Sequence, residues 1–263
     1  MKMRSFRQRC KHNRNFPVVK FAVFVGLSLV VNASLACSTT VTTLDSAPCN
    51  LLTGDSITIT NSGSITAPTD ANGDSTIAIS ANGAAATVTN HGSINGYIDI
   101  FGNNNNGITS IENTGNITGS SAVSASNGGT LSSITNTGTM TGTIYNGIDL
   151  FGMGNSNFNL LNSNGGQISG AATGNAALWI ASTIENINNE VASRIFGESG
   201  AAGIYVGGSV NTVTNAGTIS GSIGIDINTV GSINAITNSG LIEGTDASGI
   251  ALFNLGNSTF SLN

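Results

Sequence analysis

Few side chains in this chain of 263 residues are suited to acid–base or nucleophilic chemistry. Beyond the first 36 residues, His91 is the only histidine and Arg194 the only strongly basic side chain. General acid–base catalysis needs groups of this kind, or paired carboxylates, within one cleft. His91 stands at a position that Ser or Thr fills in similar segments, so we interpret it as a solvated turn residue. Arg194 is close in sequence to Glu190 and Glu198, and we expect a local ion pair there.

Three aspartates recur at one place in similar short segments. Asp99, Asp149 and Asp226 each follow Ile and precede another aliphatic residue. Other segments separate them, so we do not expect a shared calcium site, and the calcium-binding Gly-Gly-x-Gly-x-Asp repeat does not occur. We interpret the three as outward-pointing charges that confer solubility. No Gly-x-Ser-x-Gly nucleophile elbow is present either. We therefore predict no catalytic, metal-ligating or cofactor-binding residue.

The first 36 residues have the pattern of a secretory signal. Seven of the eight Lys and Arg residues precede Phe21, an apolar run of 11 residues continues to Val31, and Ser34 and Ala36 supply small residues for cleavage after Ala36. The run is shorter than the roughly 20 residues that a membrane span needs. We predict an exported mature chain that does not span the membrane.

Removal of the signal leaves a strongly acidic chain. One Arg then stands against all 13 Asp and Glu residues, which gives a net charge of −12. Nucleic-acid binding rests on Lys and Arg that neutralise phosphates. Nucleic acid is therefore excluded as an expected partner.

Two of the three cysteines remain after cleavage. Cys37 and Cys49 are 12 positions apart in an exported protein, so a local disulfide between them is the favoured prediction. Lipidation of Cys37 is the alternative. That modification favours an aliphatic residue three positions earlier, where Ser34 stands.

The motif Asn-x-Gly-x-Ile recurs along the chain and predicts its architecture. Counting a degenerate copy from Asn189 to Ile195, the asparagines lie 29, 23, 23, 28, 25, 26 and 23 residues apart, which is typical of a solenoid. We expect Asn and Gly to allow left-handed turns and the asparagines to stack as a hydrogen-bonded ladder. The predicted turn residues are Asn61, Asn90, Asn113, Asn136, Asn164, Asn215 and Asn238, with Gly63, Gly92, Gly115, Gly138, Gly166, Gly217 and Gly240.

Short alternating segments surround each motif and predict three strands per repeat. Examples are Ile57–Thr60 before the turn, Ile94–Gly96 after it, and Tyr97–Phe101 beyond a variable loop. We predict an all-β fold, a right-handed parallel β-helix of about eight or nine rungs of ~23 or more residues. The antiparallel barrel is disfavoured because its hairpin turns are missing. The predicted parts are a signal (1–36), an N-terminal cap region (37–50) and the solenoid (51–263).

The basic signal, the Asn-x-Gly-x-Ile repeats and the scarcity of Lys, Arg and Cys together resemble the passenger region of bacterial autotransporters, the type V secretion class. The resemblance implies a location at the cell surface, in the outer membrane through a C-terminal β-barrel, or outside the cell. No barrel follows here, so we expect a truncated passenger, periplasmic if the translocator is truly absent. An uncapped last rung predicts self-association through unpaired strand edges.

The function expected from the resemblance is structural and adhesive. A non-enzymatic rod would mediate attachment to host or bacterial surface glycans or proteins, or self-association, without a cofactor. The Asn-rich loops Gly102–Gly107 and Gly152–Asn157 are the expected contact loops. The alternative is a secreted carbohydrate-active enzyme of the polysaccharide lyase or hydrolase type, with Arg194 as its basic residue.

Overall fold

The computed structural model describes residues 40–45, 48–71, 74–81, 83–102, 106–171, 176–252 and 261–262. The chain divides into two units, Met1–Ala33 and Ser34–Asn263, and all described residues belong to the second. The predicted signal, its cleavage site after Ala36, and Cys37 lie outside the described residues.

The described residues contain β-strands and no helix. In chain order the strands are β1 (Thr40–Val41), β2 (Leu44–Asp45), β3 (Cys49–Leu51), β4 (Ile57–Ile59), β5 (Ser64–Thr66), β6 (Ile77–Ala81), β7 (Ala84–Asn90), β8 (Ser93–Asn95), β9 (Tyr97–Phe101), β10 (Gly107–Asn113), β11 (Asn116–Gly119), β12 (Val123–Ser126), β13 (Thr130–Asn136), β14 (Thr139–Gly142), β15 (Ile148–Phe151), β16 (Asn159–Asn162), β17 (Gln167–Gly170), β18 (Ala176–Ala181), β19 (Thr183–Asn189), β20 (Arg194–Gly197), β21 (Ala202–Val206), β22 (Ser209–Asn215), β23 (Thr218–Gly221), β24 (Ile225–Ile227), β25 (Ser232–Asn238), β26 (Leu241–Gly244), β27 (Ile250–Leu252) and β28 (Ser261–Leu262).

Three parallel sheets contain these strands. The first sheet has the order β1-β4-β7-β10-β13-β16-β19-β22-β25-β28, the second β2-β5-β8-β11-β14-β17-β20-β23-β26, and the third β27-β24-β21-β18-β15-β12-β9-β6-β3. Every third strand along the chain thus joins the same sheet, so each turn of the chain adds one strand to each sheet. The predicted all-β parallel β-solenoid is confirmed, and its right-handedness stays a prediction. The segment 37–50, predicted as a cap, contains β1, β2 and the first two residues of β3. These strands pair with β4, β5 and β6 and so belong to the same three sheets.

Aliphatic side chains stack inside the solenoid from one turn to the next. Ile94, Ile117 and Met140 follow one another in register on β8, β11 and β14 and are fully buried. The alternation of buried and exposed residues along each strand follows from the two-residue period of a β-strand. A single turn cannot bury its own apolar face, so the stacking of neighbouring turns forms the core.

A ladder of asparagines runs along the corner between the first and second sheets. Each side-chain Nδ2 donates to the Oδ1 of the asparagine one turn further on, at 2.7 or 2.8 Å. The amide also donates to backbone carbonyls, as Asn136 does to Gly138 and Gln167. The ladder consists of Asn90, Asn113, Asn136, Asn162, Asn189, Asn215 and Asn238, so the predicted stacking is confirmed for five of the seven predicted asparagines and for the degenerate copy at Asn189.

Asn164 was predicted in the ladder, and this assignment is wrong. Asn162 takes the position, since it accepts from Asn136 and donates to Asn189. The turn after Asn162 carries two extra residues, and within it Asn164 is exposed with a left-handed φ of 51°. The longer turn contains an Asn-x-Gly sequence that begins two residues after Asn162, and the motif was assigned to it.

Asn61 is the second wrong ladder assignment. Ile59, two residues earlier, is the residue in register with Asn90, and Asn61 is exposed. The turn has the same longer form, with the Gly63 N–H donating to the Thr60 carbonyl at 2.8 Å. An apolar Ile59 fills the corner of this early turn in place of an asparagine.

The turn glycines are required for close stacking and not for left-handed backbone. A Cβ on Gly115 would lie 2.1 Å from the carbonyl oxygen of Gly92, and a Cβ on Gly138 would lie 2.1 Å from that of Gly115. No predicted turn glycine has a left-handed φ. The expected conformational reason was therefore wrong, although each glycine is sterically necessary.

Candidate ligand-binding face

The outer faces of the three sheets differ in chemistry. Ser, Thr, Asn and Gln dominate the outward positions of the second sheet, for example Ser93, Asn116, Thr139 and Gln167. The third sheet instead presents carboxylates and aromatic rings at one outward register position. We call this row the third-sheet strip; it consists of Asp99, Ser124, Asp149, Trp179, Tyr205 and Asp226.

Aromatic side chains concentrate at this face. Of the eight aromatic residues in the described part of the chain, only Phe158, which is buried, and Phe196, on the second sheet, lie elsewhere. The remaining six lie on the outer face of the third sheet or at its edge: Tyr97, Phe101, Tyr145, Phe151, Trp179 and Tyr205. Among the described residues, aromatic side chains are therefore concentrated at the third sheet.

Three of these rings form a contiguous platform. The Phe151 and Trp179 centroids lie 6.1 Å apart, and Trp179 meets Tyr205 edge-on at 6.2 Å. Phe151 is 51% exposed, and Trp179 and Tyr205 are partly exposed, so all three rings reach the surface. Asn228 donates a hydrogen bond to the Tyr205 hydroxyl, which fixes that ring.

The strip carboxylates are half-buried. Burial raises the pKa of Asp149 from its ordinary value of 3.8 to about 6, against an opposing hydrogen bond from the Asn146 side chain. Burial likewise raises the pKa of Asp99 and of Asp226. The predicted outward orientation is confirmed, but partial desolvation distinguishes these groups from freely solvated surface charges.

Hydrogen bonds are missing at the same place. Among the described residues, four buried side-chain polar atoms lack a partner, and three of them belong to the strip: Asp149 Oδ1, Trp179 Nε1 and Asp226 Oδ1. Each such atom costs about 1–3 kcal/mol of folding free energy. Local violations of this kind are expected where a surface serves a function rather than stability.

Two cavities border the start of the strip. One, of about 620 Å³, is lined by Tyr97, Tyr145, Ile77 and residues of the segment 70–76. The other, of about 330 Å³, is lined by Asn50, Asp99, Phe101 and Asn106. Ser80 lines both, so the two cavities flank the outer face of β6 and β9.

The basic residues considered from the sequence lie away from this face. His91 is an exposed turn residue, as predicted, with Nδ1 2.8 Å from Thr114 Oγ1. Arg194 is on the second sheet, where its guanidinium carbon lies 4.8 Å from the centroid of the Phe196 ring. No described acidic residue forms an ion pair with it, so the expected ion pair with Glu190 or Glu198 was wrong; the cation–π contact replaces it.

The predicted contact loops are only partly described. In the loop Gly102–Gly107, residues 103–105 lie outside the described residues, and Asn106 donates to the Phe101 carbonyl at 3.1 Å. In the loop Gly152–Asn157, Asn155 bonds to the backbone N–H and carbonyl of Leu131. Asn155 thus continues the strand pairing of β13, which is a structural role.

Cys49 is disulfide-bonded. Its predicted partner, Cys37, lies outside the described residues, so the pairing stays a prediction. Within the described residues, no group of three or more His, Cys, Asp and Glu side chains is placed to hold a metal ion. The same part of the chain has no helix long and apolar enough to cross a membrane. No protein-family model, curated protein or solved structure matches this chain.

The strip could have been found from the sequence. Trp179 and Tyr205 occupy the same place between aliphatic residues as Asp99, Asp149 and Asp226: Leu-Trp-Ile and Ile-Tyr-Val against Ile-Asp-Ile. If all residues at this position of the repeat are considered together, the aromatic residues and the aspartates fall on one surface.

Proposed function

We propose that this chain is an exported, surface-displayed or secreted β-solenoid of the autotransporter-passenger type that attaches to glycans through the outer face of its third sheet. The observation that carries the proposal is the gathering of six aromatic residues and three half-buried carboxylates on one of the three faces or at its edge. Attachment is the function expected from the sequence, but the contact surface is the third-sheet strip and not the Asn-rich loops.

The chemistry of the strip suits sugars. Aromatic rings such as Trp179 and Tyr205 offer flat apolar surfaces to the C–H faces of pyranoses, as they offer amphipathic surface at interfaces generally. The neighbouring carboxylates accept hydrogen bonds from hydroxyl groups. Few precisely placed polar groups beside aromatic surface are the usual composition of a small-molecule site.

The spacing of the strip suits an extended polymer. Successive strip residues are separated by the strand spacing of ~4.8 Å, so Asp99 and Asp226, five turns apart, span ~24 Å along the axis. One pyranose unit in an extended chain has a similar length, so a linear polysaccharide would place about one sugar on each turn. Many weak contacts along such a row give useful affinity by multivalency.

The test is binding to immobilised polysaccharides with a matched pair of aromatic variants. The double variant Trp179→Ala, Tyr205→Ala should lose most binding, since stacked aromatic contacts dominate such sites. Phe196→Ala is the control, because it also removes a partly exposed ring from an outer face, but from the second sheet. Equal loss in both variants, or no loss in the double variant, would refute the third-sheet face as the binding surface.

A second candidate is glycoside hydrolysis, which replaces the enzyme hypothesis based on Arg194. Asp99 and Asp149 flank Ser124 on adjacent strands, ~9.6 Å apart by strand spacing. Inverting glycosidases hold their two carboxyl groups roughly 6.5–9.5 Å apart, so this strand separation lies at the upper limit of that range. They also use an acid of raised pKa, which here would be Asp149. Release of reducing ends that disappears in Asp149→Asn, while binding persists, would favour this candidate over attachment alone.

A further inference from the structure

The larger cavity lies at the corner between the second and third sheets, beside the start of the strip. Its lining comes from successive turns of the solenoid, with Pro48, Ile77, Tyr97, Ser120 and Tyr145 each contributed by a different one. Its volume of about 620 Å³ is in the range of small-molecule sites. Tyr145 is 56% exposed, so one of the two aromatic walls remains accessible from solvent.

Asp70 and Asp74 form the acidic wall of the cavity. Thr69 and Ser75 form an antiparallel bridge, and Asp70 N–H donates to the Asp74 carbonyl at 2.8 Å. The Asp70 carboxylate accepts from the Asp74 N–H at 3.0 Å, so it is engaged with the backbone of Asp74. No described residue hydrogen-bonds the Asp74 carboxylate, which is half-buried and lines the cavity. Asp74 is therefore the acidic group of this wall that is available to a ligand.

Charge at this face has one sign. Among the described residues, the cavity and the strip together carry five carboxylates, and no described Lys, Arg or His lines either. They are Asp70, Asp74, Asp99, Asp149 and Asp226. Burial and the nearby Asp99 both raise the pKa of the Tyr97 phenol, as expected in a region of negative potential. An anionic sugar would be repelled here, and a cationic one attracted.

We propose that this cavity is a subsite for the protonated amine of an amino sugar within the glycan-binding face. The inference rests on the proposed glycan-binding function and names the class of sugar. Aromatic faces together with a carboxylate form the recognition environment of organic ammonium groups. Tyr97 and Tyr145 supply the faces, Asp74 supplies the charge, and the adjacent strip holds the rest of the polymer.

The experiment compares two oligosaccharides that differ in the amine alone. The purified chain is titrated calorimetrically with a hexamer of glucosamine and a hexamer of N-acetylglucosamine at about pH 6, where the free amine is charged. The glucosamine hexamer should bind roughly three- to tenfold more tightly, as one cation–π and one partly exposed ion pair provide. Added salt should reduce this preference.

Two variants locate the preference. Asp74→Asn should bring the two hexamers close to equal affinity without weakening the N-acetylated one. Tyr145→Leu removes one of the two aromatic walls, so it should weaken the glucosamine hexamer more than the N-acetylated one. Asp246→Asn, an exposed aspartate in the corresponding corner of a distant turn, is the control and should retain the preference. Both altered side chains are partly exposed, and unchanged thermal unfolding would confirm that the variants are folded.

The outcomes separate this inference from the proposed function. Equal affinity of both hexamers for the wild-type chain, or a preference that is undiminished in both variants, overturns the amine subsite. Binding of neutral glycans through Trp179 without any amine preference also overturns it and leaves the proposed function standing. If no glycan binds through Trp179, the proposed function itself fails.

Discussion

Replacement of Asp149 by Asn should stabilise the protein at neutral pH, against the usual effect of removing a charged residue from a native fold. The folded-state pKa of Asp149 is about 6, compared with an ordinary value of 3.8. Desolvation in the third-sheet strip disfavours its ionised form, and one of its oxygens has no hydrogen-bond partner. An uncharged amide of the same shape removes the desolvation cost and can still bond to Asn146.

The magnitude follows from linkage. A shift of about 2 units corresponds to about 3 kcal/mol if the group is fully shielded, and partial exposure reduces this to about 1–2 kcal/mol. Because the folded-state pKa is the higher one, the folded protein holds a proton between about pH 4 and pH 6 that the unfolded chain has released. Wild-type stability should therefore rise as pH falls through this window, and the gain from Asp149→Asn should be full above about pH 6 and vanish below about pH 4.

The assay is urea denaturation of wild type and variant at about pH 7.5, 5 and 3.5, with the slope checked for equal surface exposure. Glu112→Gln is the control, since Glu112 is an exposed carboxylate on the first sheet, and it should change stability by less than about 0.5 kcal/mol. A variant less stable than wild type at about pH 7.5, or a difference that does not change with pH, would refute the reasoning.

Of three further predictions, two concern the stability of the solenoid and one concerns the aromatic platform. Asn136→Ala should lower the free energy of unfolding by about 2–4 kcal/mol, because it removes buried hydrogen bonds to Asn113, Asn162 and two carbonyls. Asn61→Ala should change it by less than about 0.5 kcal/mol, because Asn61 is exposed and outside the ladder. Denaturant titration of both variants distinguishes the observed ladder from the one predicted from the motif. Gly115→Ala should cost more than about 2 kcal/mol, measured in the same way, because its Cβ would meet the Gly92 carbonyl at 2.1 Å, and near-neutrality would contradict the close-stacking role of the glycine. Phe151→Ala should weaken glycan binding less than Trp179→Ala does, since Phe151 lies at the edge of the platform; the order of the two affinities, measured by calorimetry, tests that arrangement.

The architecture was predictable because it depends on periodic properties. A repeat of about 23 residues, with β-branched residues alternating before and after a glycine turn, leaves few alternatives to stacked parallel strands. The asparagine ladder followed for the same reason. The two wrong ladder assignments, Asn61 and Asn164, lie where the turn is two residues longer. An insertion can contain its own Asn-x-Gly sequence, but strand pairing decides which residue occupies the corner.

The role of the turn glycines was misjudged because contact between turns is not visible in local sequence. Left-handed conformation is a property of one residue and can be guessed from Gly or Asn. The approach of Gly115 to Gly92 is a property of two turns 23 residues apart, and only the stacked geometry reveals it.

The candidate site was predicted only in part. The common outward position of Asp99, Asp149 and Asp226 was read from their shared context, but their desolvation depends on neighbours from adjacent strands, such as Trp179 beside Asp149. The large cavity depends on Asp70 and Asp74, which lie beside the antiparallel Thr69–Ser75 bridge, and this pairing does not follow the repeat. Irregular insertions and cross-strand neighbours are the two features that a periodic pattern does not encode.

The central claim is that the third-sheet strip is a glycan-binding surface, and the fluorescence of Trp179 tests it most directly. Trp179 is the only tryptophan of the chain and lies in the middle of the aromatic platform. Titration with a linear polysaccharide that the chain binds should give a saturable change in its emission, at the same midpoint as calorimetric binding, and Phe196→Ala should leave that midpoint unchanged. Polysaccharide binding with no change in Trp179 emission, and with undiminished affinity in Trp179→Ala, would contradict the account.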